Sequence, residues 1–309
     1  MIKVLFAAGD ENWQTYEAPL TKAFEDRSLS IDLSTAHPAE DSDYIIYAPV
    51  SDLKDFSPFT KCKAVLSLWA GVEKIVGNLS LTQPLCRMVD PGLTQGMVEW
   101  VTGHCMRYHL GIDEALASQN GQWTPKTPPL AQDRKITILG LGELGTACAT
   151  TLAGLGFAMT GWSRRKKSIA GITCQFGEEG LTAALESAEI VVLLLPNTPS
   201  TENTLNAETL AHLPKGARII NPGRGTLIDD AALIAALDHD QIAHATLDVF
   251  RIEPLPANDP YWSHPKVTVT PHIAAETRPS SASEVIAENI ARCESGQSLL
   301  HQVDKAAGY

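Results

Sequence analysis

The stretch Gly140-Leu-Gly-Glu-Leu-Gly145 decides the fold of this chain. It directly follows the apolar run Ile136-Thr-Ile-Leu139. A strand, a G-x-G-x-x-G turn and a helix form a dinucleotide pyrophosphate site, because glycines let the backbone approach the phosphates and the helix N-terminus offers N–H donors. The stretch therefore predicts a dinucleotide-binding domain. The residues predicted to contact the cofactor here are Gly140, Gly142, Glu143, Leu144 and Gly145.

A basic cluster, Arg164-Arg165-Lys166-Lys167, begins 19 residues after the last of these glycines. An acidic residue near this position normally binds the ribose 2′-hydroxyl, whereas guanidinium and ammonium groups can receive a 2′-phosphate. A basic run is more often a solvated surface, but its position after the glycine motif and a strand favours binding. The sequence therefore predicts NADP(H), bound in part by Ser163, Arg164, Arg165 and Lys166.

Composition excludes several classes of protein. At 309 residues the chain is long enough for two domains, and its net charge of −12 argues against nucleic acid or an anionic membrane as partner. The six cysteines are widely spaced without a C-x-x-C pair, so we expect neither a metal site nor a disulfide framework. The longest apolar run, Ile190 to Leu195, is far too short to span a membrane. We therefore expect a cytoplasmic protein.

Short apolar runs rich in β-branched residues alternate with helical or loop segments, which is typical of parallel sheets covered by helices. The early runs are Ile2–Ala7, Tyr44–Tyr47, Ala64–Trp69 and Leu85–Val89. The later runs are Ile136–Leu139, Phe157–Trp162, Glu189–Leu195, Ala217–Asn221, Ala245–Val249 and Val267–Thr270. The pattern predicts an α/β protein with two doubly wound, Rossmann-like parallel-sheet domains and a cleft between them.

Helical spacing predicts one long helix from Thr94 to about Asn120 and a last helix from Pro279 to Ser298. The last helix is expected to return to the first domain, because the nucleotide domain interrupts that domain. We therefore assign 1–98 and 275–309 to a substrate-binding, flavodoxin-like domain, and 99–274 to an NADP-binding Rossmann domain.

Three candidates for chemistry follow predicted strands of the second domain. Arg224 lies in the glycine-flanked loop Asn221-Pro-Gly-Arg-Gly225, Glu253 follows the next strand, and His272 follows the last one. Ligands of open α/β sheets bind at the carboxyl ends of the strands, where the glycine loop also lies. The sequence therefore predicts that a cation, a carboxylate and an imidazole share one edge with the cofactor.

Together these motifs resemble the D-isomer-specific 2-hydroxyacid dehydrogenase family. The resemblance rests on the glycine motif and on Leu195-Pro-Asn-Thr198, Ile220-Asn-Pro-Gly-Arg-Gly225, Leu247-Asp-Val-Phe250 with Glu253-Pro254, and Thr270-Pro-His272. Further stretches resemble its glyoxylate/hydroxypyruvate reductase A subgroup, namely Trp162–Lys167, Leu195–Pro199, Glu253–Pro256, Thr277–Pro279 and the tail from Val303 to Tyr309. The resemblance extends over nearly the whole chain.

The resemblance implies catalytic roles for Arg224, His272 and Glu253. Arg224 would bind the substrate carboxylate and polarise the keto oxygen, His272 would donate the proton, and Glu253 would orient the imidazole. The resemblance also implies a substrate loop at Trp69, Ala70, Gly71 and Val72, whose backbone amides would bind the carboxylate. Asp248 and the Pro222 carbonyl would meet the nicotinamide carboxamide, and Leu195 and Pro196 would join the cofactor site.

Two departures from the family pattern bear on these expectations. The chain has His272-Ile-Ala274 where the family often has His-x-Gly, a small substitution that leaves the role of the histidine in place. The acidic ribose-binding residue of NAD-dependent members is absent near Ser163, which favours NADPH.

The motifs and the resemblance together predict an NADPH-dependent reductase of small 2-keto acids, glyoxylate and hydroxypyruvate, and the resemblance implies a homodimer. The alternatives are a dehydrogenase for a larger 2-keto acid and a non-catalytic NADP(H)-sensing protein.

Overall fold

The computed structural model describes residues 1–308; Tyr309, the end of the predicted segment 275–309 and of the tail motif, lies outside the described residues. The chain forms two compact units, one of Met1–Leu93 with the chain from Glu276 onward, the other of Thr94–Ala275. Each unit is built on a parallel sheet. The predicted class, an α/β protein with two parallel-sheet domains, is confirmed.

The strands are β1 (Ile2–Ala7), β2 (Ile31–Ser34), β3 (Tyr44–Tyr47), β4 (Ala64–Ser67), β5 (Leu85–Cys86), β6 (Lys135–Leu139), β7 (Ala158–Ser163), β8 (Thr173–Phe176), β9 (Ile190–Leu193), β10 (Ala217–Asn221), β11 (Ile242–Leu247) and β12 (Val267–Val269). The helices are α1 (Asp10–Asp26), α2 (Pro91–Leu110), α3 (Ile112–Ala117), α4 (Glu143–Gly154), α5 (Gly177–Leu185), α6 (Ala207–Ala211), α7 (Asp230–Asp238) and α8 (Pro279–Glu294).

The first unit contains a five-stranded sheet in the order β2-β1-β3-β4-β5. Strands β3 and β4 are buried along their whole length, as expected of central strands covered on both faces. The terminal helix α8 packs on α1 in this unit, where Ile286 and Ile290 share one core with Leu20 and Phe24. Burying each such side chain contributes about 1.5–3 kcal/mol, so α8 is an integral part of this unit.

The second unit contains a seven-stranded parallel sheet in the order β12-β11-β10-β9-β6-β7-β8. The strand order reverses between β6 and β9, because β7 lies on one side of β6 and β9 on the other. In open sheets this switch point leaves a crevice at the carboxyl ends of the strands, where ligands bind. The loops that carry the predicted site residues of this unit all leave from that edge.

The structure differs from the sequence prediction at several elements. The edge strands β2 and β8 were missed because neither is an apolar run: β2 is half-buried throughout, and β8 is exposed at Thr173 and Phe176. The predicted long helix begins earlier, at Pro91, and is interrupted at Gly111, whose φ of +65° ends α2 before α3 starts. Over residues 1–308, no helix is both long and apolar enough to cross a membrane.

Candidate active site

The glycine loop between β6 and α4 has the form that a pyrophosphate requires. A Cβ at Gly145 would lie 1.7 Å from the Gly140 carbonyl oxygen, so helix and loop pack too closely for any side chain there. A Cβ at Gly142, in contrast, would meet no atom of residues 1–308 within 4 Å. The fold itself does not need glycine at position 142, whereas an approaching phosphate does. The loop therefore fits a dinucleotide.

The start of α4 provides the donors for such a phosphate. The first N–H groups of a helix, here from Glu143, Leu144 and Gly145, have no partner within the helix. The N-cap residue, Gly142, has no side chain with which to cap these groups. The positive end of the helix dipole adds to the attraction for an anion.

The basic cluster lies beside this loop, because β7 pairs with β6 and ends at Ser163. The Ser163 hydroxyl donates to the Arg165 carbonyl at 2.7 Å and so turns the chain directly after the strand. All four basic side chains of the cluster are exposed. Lys167 donates its Nζ to the Leu141 carbonyl and joins the cluster to the glycine loop. The sequence prediction did not assign Lys167 to the cofactor site, although it belongs to the same basic run.

Arg224 follows β10 in a loop that is held from both sides. The buried Asn221 donates its Nδ2 to the Arg224 carbonyl at 2.9 Å, and its Oδ1 accepts the Gly223 N–H at 3.1 Å. A Cβ at Gly225 would lie 2.0 Å from the Phe250 carbonyl carbon, so this loop packs directly against the loop after β11. The half-buried guanidinium of Arg224 donates to the Gly223 carbonyl at 2.8 Å. A cation is thus fixed at the carboxyl edge of the sheet.

His272 and Glu253 form a direct pair. The Glu253 Oε2 lies 2.7 Å from His272 Nδ1, and its Oε1 accepts the Phe250 N–H at 2.9 Å. The histidine side chain is 51% exposed, so one nitrogen is held by the protein while the ring remains accessible. A carboxylate at Nδ1 leaves Nε2 as the nitrogen for a substrate. The strand order places these two residues after β11 and β12, next to Arg224 after β10.

Asp248 holds the segment that carries His272. Its buried carboxylate accepts the Thr270 hydroxyl at 2.6 Å and the N–H groups of Ile273 and Ala274, both at 2.9 Å. The backbone of His272 has a φ of +55°, which is uncommon for a side-chain-bearing residue. Asp248 was predicted to meet the nicotinamide carboxamide, which stays a prediction. The structure adds contacts with 270–274 that sequence alone did not reveal.

The remaining predicted cofactor residues lie at the same edge. Leu195 and Pro196 follow β9, Leu195 is buried, and the Pro196 carbonyl accepts the Thr201 hydroxyl at 2.6 Å. Pro222 is buried directly after β10. The structure thus brings the predicted cofactor residues and Arg224, Glu253 and His272 to one edge of one sheet.

The predicted substrate loop, Trp69 to Val72, lies in the first unit after β4. Trp69 is 37% exposed and Lys74 Nζ lies 5.8 Å from its ring centroid, whereas Val72 is buried. The Trp69 carbonyl accepts the Met88 N–H at 3.0 Å, and the Thr277 hydroxyl donates to the Leu68 carbonyl at 3.1 Å. Trp69 is therefore an accessible side chain on an anchored loop rather than a core residue.

A glycine loop beside a basic cluster, with arginine, glutamate and histidine at neighbouring strand ends, is the arrangement of a nucleotide-dependent oxidoreductase. Comparison with known proteins agrees. Residues 103–274 match the family model for the NAD binding domain of D-isomer specific 2-hydroxyacid dehydrogenases. A glyoxylate/hydroxypyruvate reductase A of Serratia proteamaculans is 41% identical over 257 residues, which cover 81% of this chain and 82% of that protein.

Two solved structures are also similar over nearly their full length. A D-isomer specific 2-hydroxyacid dehydrogenase of Xanthobacter autotrophicus, in complex with NADPH and MES, has a TM-score of 0.91 and 39% identity, covering 100% of this chain and 99% of that one. An NADPH-dependent glyoxylate/hydroxypyruvate reductase of Sinorhizobium meliloti, in complex with NADP and sulfate, has a TM-score of 0.85 and 35% identity at the same coverage. The chain belongs to the D-isomer-specific 2-hydroxyacid dehydrogenase family, and the predicted resemblance is confirmed.

Proposed function

We propose that this protein is an NADPH-dependent reductase of small 2-keto acids, converting glyoxylate to glycolate and hydroxypyruvate to D-glycerate. Family membership supports the reaction class, and similarity to the Serratia and Sinorhizobium reductases supports the substrates. The NADPH and NADP complexes of the similar structures support the cofactor. The observation that carries the proposal is the His272–Glu253 pair, 2.7 Å apart, at the strand end next to the Arg224 loop.

The residues after β6 and β7 would hold the cofactor. The N–H groups of Glu143, Leu144 and Gly145 would bind the pyrophosphate, and Gly142 leaves room for it. Arg164, Arg165 and Lys166 would bind the 2′-phosphate through charge-assisted hydrogen bonds. When bound, NADPH supplies the hydride that reduces the keto carbon. Leu195, Pro196, Pro222 and Asp248 are proposed to complete the site around the nicotinamide.

The chain's own residues supply the proton and the electrostatic stabilisation. Arg224 would bind the substrate carboxylate and offset the negative charge that develops on the keto oxygen. His272 would deliver the Nε2 proton to that oxygen, while Glu253 holds Nδ1 and stabilises the charged ring before transfer. General acid catalysis of this kind contributes roughly 10²–10⁴-fold to a rate.

A loop of the first unit would also contribute to substrate binding. Backbone amides of Trp69 to Val72 are proposed to bind the carboxylate, and Trp69 would limit the size of the side chain. The assignment of 1–98 and 275–309 to substrate binding, and of 99–274 to NADP binding, remains part of this proposal. The anchoring of the loop by Met88 and Thr277 supports a preformed site.

One experiment tests substrate, cofactor and catalysis together. Initial rates are measured with glyoxylate, hydroxypyruvate, pyruvate and phenylpyruvate, each with NADPH and with NADH. We expect the highest kcat/KM for the two small substrates with NADPH. A preference for phenylpyruvate would instead support a dehydrogenase for larger keto acids. Tight NADPH binding without turnover on any substrate would support a sensing protein.

We further propose that the protein acts as a cytoplasmic homodimer. Large apolar side chains are exposed close together in sequence from the end of α2 onward, at Leu110, Ile112, Leu116, Trp123 and Leu130. A second copy of the chain would cover such a surface. All six cysteines are free thiols, which is compatible with a reducing compartment. Sedimentation equilibrium would test the oligomeric state, and a monomer would contradict it.

A further inference from the structure

Arg251 lies in the loop after β11, between Asp248 and Glu253, and its side chain is 30% exposed. Its guanidinium donates Nη2 to the Ile228 carbonyl at 2.6 Å and to the Thr226 carbonyl at 3.3 Å. Nη2 also contacts the Asn203 side chain, and Nη1 donates to Glu202 at 3.2 Å. No pattern in the sequence singles out this arginine.

These partners belong to loops that leave neighbouring strands. Thr226 and Ile228 lie shortly after Arg224 in the segment that follows β10, whereas Glu202 and Asn203 lie in the segment after β9. Arg251 itself lies two residues before Glu253 on the loop after β11. One guanidinium therefore connects three loops at the edge of the sheet where the candidate site lies.

The character of these contacts distinguishes Arg251 from an ordinary surface ion pair. Two of its partners are main-chain carbonyls, so these hydrogen bonds hold the backbone itself. A guanidinium offers five N–H donors in one rigid plane, so it can fix several acceptors at once, which an ammonium cannot do. Its Nε also lies 3.4 Å from Asp230, the first residue of α7.

A second contact in the same region reinforces the arrangement. The Thr226 hydroxyl donates to Asn197 at 2.9 Å, and the Asn203 N–H donates to the Thr226 carbonyl at 2.9 Å. The loop after β10 is therefore tied to the segment after β9 by its own bonds. The long side chain of Arg251 connects the loop that carries Glu253 to these two segments.

We propose that Arg251 is a positioning residue that fixes the Arg224 loop relative to the Glu253 loop. Arg224 would bind the anionic end of the substrate while the Glu253–His272 pair protonates its oxygen. The two loops must therefore be held in fixed positions relative to each other. Misplacement by about 1 Å can lower a rate roughly 100-fold. This inference rests on the proposed function, because it concerns the same reaction.

The test compares Arg251→Met and Arg251→Lys with a matched control, Arg134→Met. Arg134 is also partly buried and ion-paired, with Glu189 at 2.7 Å, but it precedes β6 at the opposite edge of the sheet. We expect kcat/KM for glyoxylate to fall about 10- to 100-fold in both Arg251 variants. We expect the Kd for NADPH, measured by cofactor fluorescence, to stay within about twofold, because the glycine loop follows β6 on the other side of β9.

Chemical rescue separates positioning from general destabilisation. Free guanidinium at low concentration should restore part of the activity that Arg251→Ala loses. It should not raise the activity of Arg134→Ala. If Arg251→Met fails to fold, Arg251→Lys decides the question, and full activity of that variant would overturn the inference. If the wild-type protein is active and folded Arg251→Met has the same kcat/KM, the inference about Arg251 is overturned but the proposed function stands. If the wild-type protein shows no turnover, the proposed function is overturned as well.

Discussion

Asp248 holds His272 through the main chain: the Asp248 carbonyl accepts the His272 N–H at 2.9 Å, while its carboxylate accepts the N–H groups of the next two residues. The imidazole is therefore placed by a buried acid that acts through the main chain of 272–274. Thr270 completes this arrangement by donating its hydroxyl to the same carboxylate at 2.6 Å.

Replacing Thr270 with valine should lower kcat about tenfold, since a hydrogen bond to a charged group contributes about 1.5–3 kcal/mol. The Kd for NADPH should change little. Thr270→Ser retains the hydroxyl and serves as control, so it should restore most of the activity. Steady-state rates and fluorescence titration check both statements. A valine variant with normal kcat would show that the hydroxyl does not position His272.

His272→Ala should abolish turnover, and Glu253→Gln should lower kcat by roughly 10²–10⁴-fold, the usual contribution of general acid catalysis. Glutamine retains the shape of Glu253 but removes the negative charge beside the imidazole. NADPH binding should remain nearly intact in both variants. Glu208→Gln, at an exposed acid in the first turn of α6, is the control. Full activity of His272→Ala would contradict the proposed mechanism.

Arg164→Ala should raise the KM for NADPH about tenfold and leave that for NADH almost unchanged. The reason is that only NADPH carries the 2′-phosphate, whose charge-assisted hydrogen bonds contribute about 1.5–3 kcal/mol. Lys22→Ala, an exposed helix residue of the first unit, is the control for a general loss of positive charge. Equal effects on the two cofactors would mean that the cluster is only a solvated surface.

Gly142→Ala and Gly145→Ala should have opposite effects on folding and binding. The first variant should fold normally, because its Cβ meets no described atom within 4 Å, yet lose affinity for NADPH. The second should be strongly destabilised, because its Cβ would lie 1.7 Å from a carbonyl oxygen. Thermal unfolding and NADPH titration measure the two effects. Normal NADPH affinity in Gly142→Ala would argue against a pyrophosphate at this loop.

The stability of the second unit should depend on pH through His244 in β11. Burial, followed by the nearby Arg107 charge, lowers the pKa of His244 to about 4 from 6.5. The unfolded chain therefore takes up this proton first, and stability is lost as pH falls from 6.5 towards 4. His244→Gln should reduce the loss of Tm over this range. His239→Gln, at the exposed end of α7, should retain it. An equal loss in both variants would exclude His244 as the cause.

The extent to which sequence predicted this fold depends on burial. Strands such as β3 and β10 lie in the sheet interior, and their apolar runs gave their bounds correctly. The edge strand β2 faces solvent in part, so its mixed composition gave no comparable signal. The break between α2 and α3 depends on the left-handed conformation of Gly111, which a helical spacing of apolar residues does not reveal.

Some residues of the candidate site could likewise be predicted from the sequence and others could not. Arg224 and His272 follow apolar strands at short intervals, so their place at the sheet edge could be predicted from sequence. Arg251 could not, because its partners lie in separate loops and an exposed arginine in a loop is usually only a solvated charge. The contacts of Asp248 with 270–274 could not be predicted either, because they form only when β12 pairs with β11.

The central position of β9 in the seven-stranded sheet would separate two tasks of the proposed enzyme. On the proposed function, the choice between NADPH and NADH would fall to the loops after β6 and β7, whereas proton delivery and anion binding would fall to those after β10, β11 and β12. Engineering can therefore address each task on its own. A chain redesigned after β7 for NADH should keep its keto-acid preference, and changes near the Arg224 loop should alter the accepted acid without altering the accepted nucleotide.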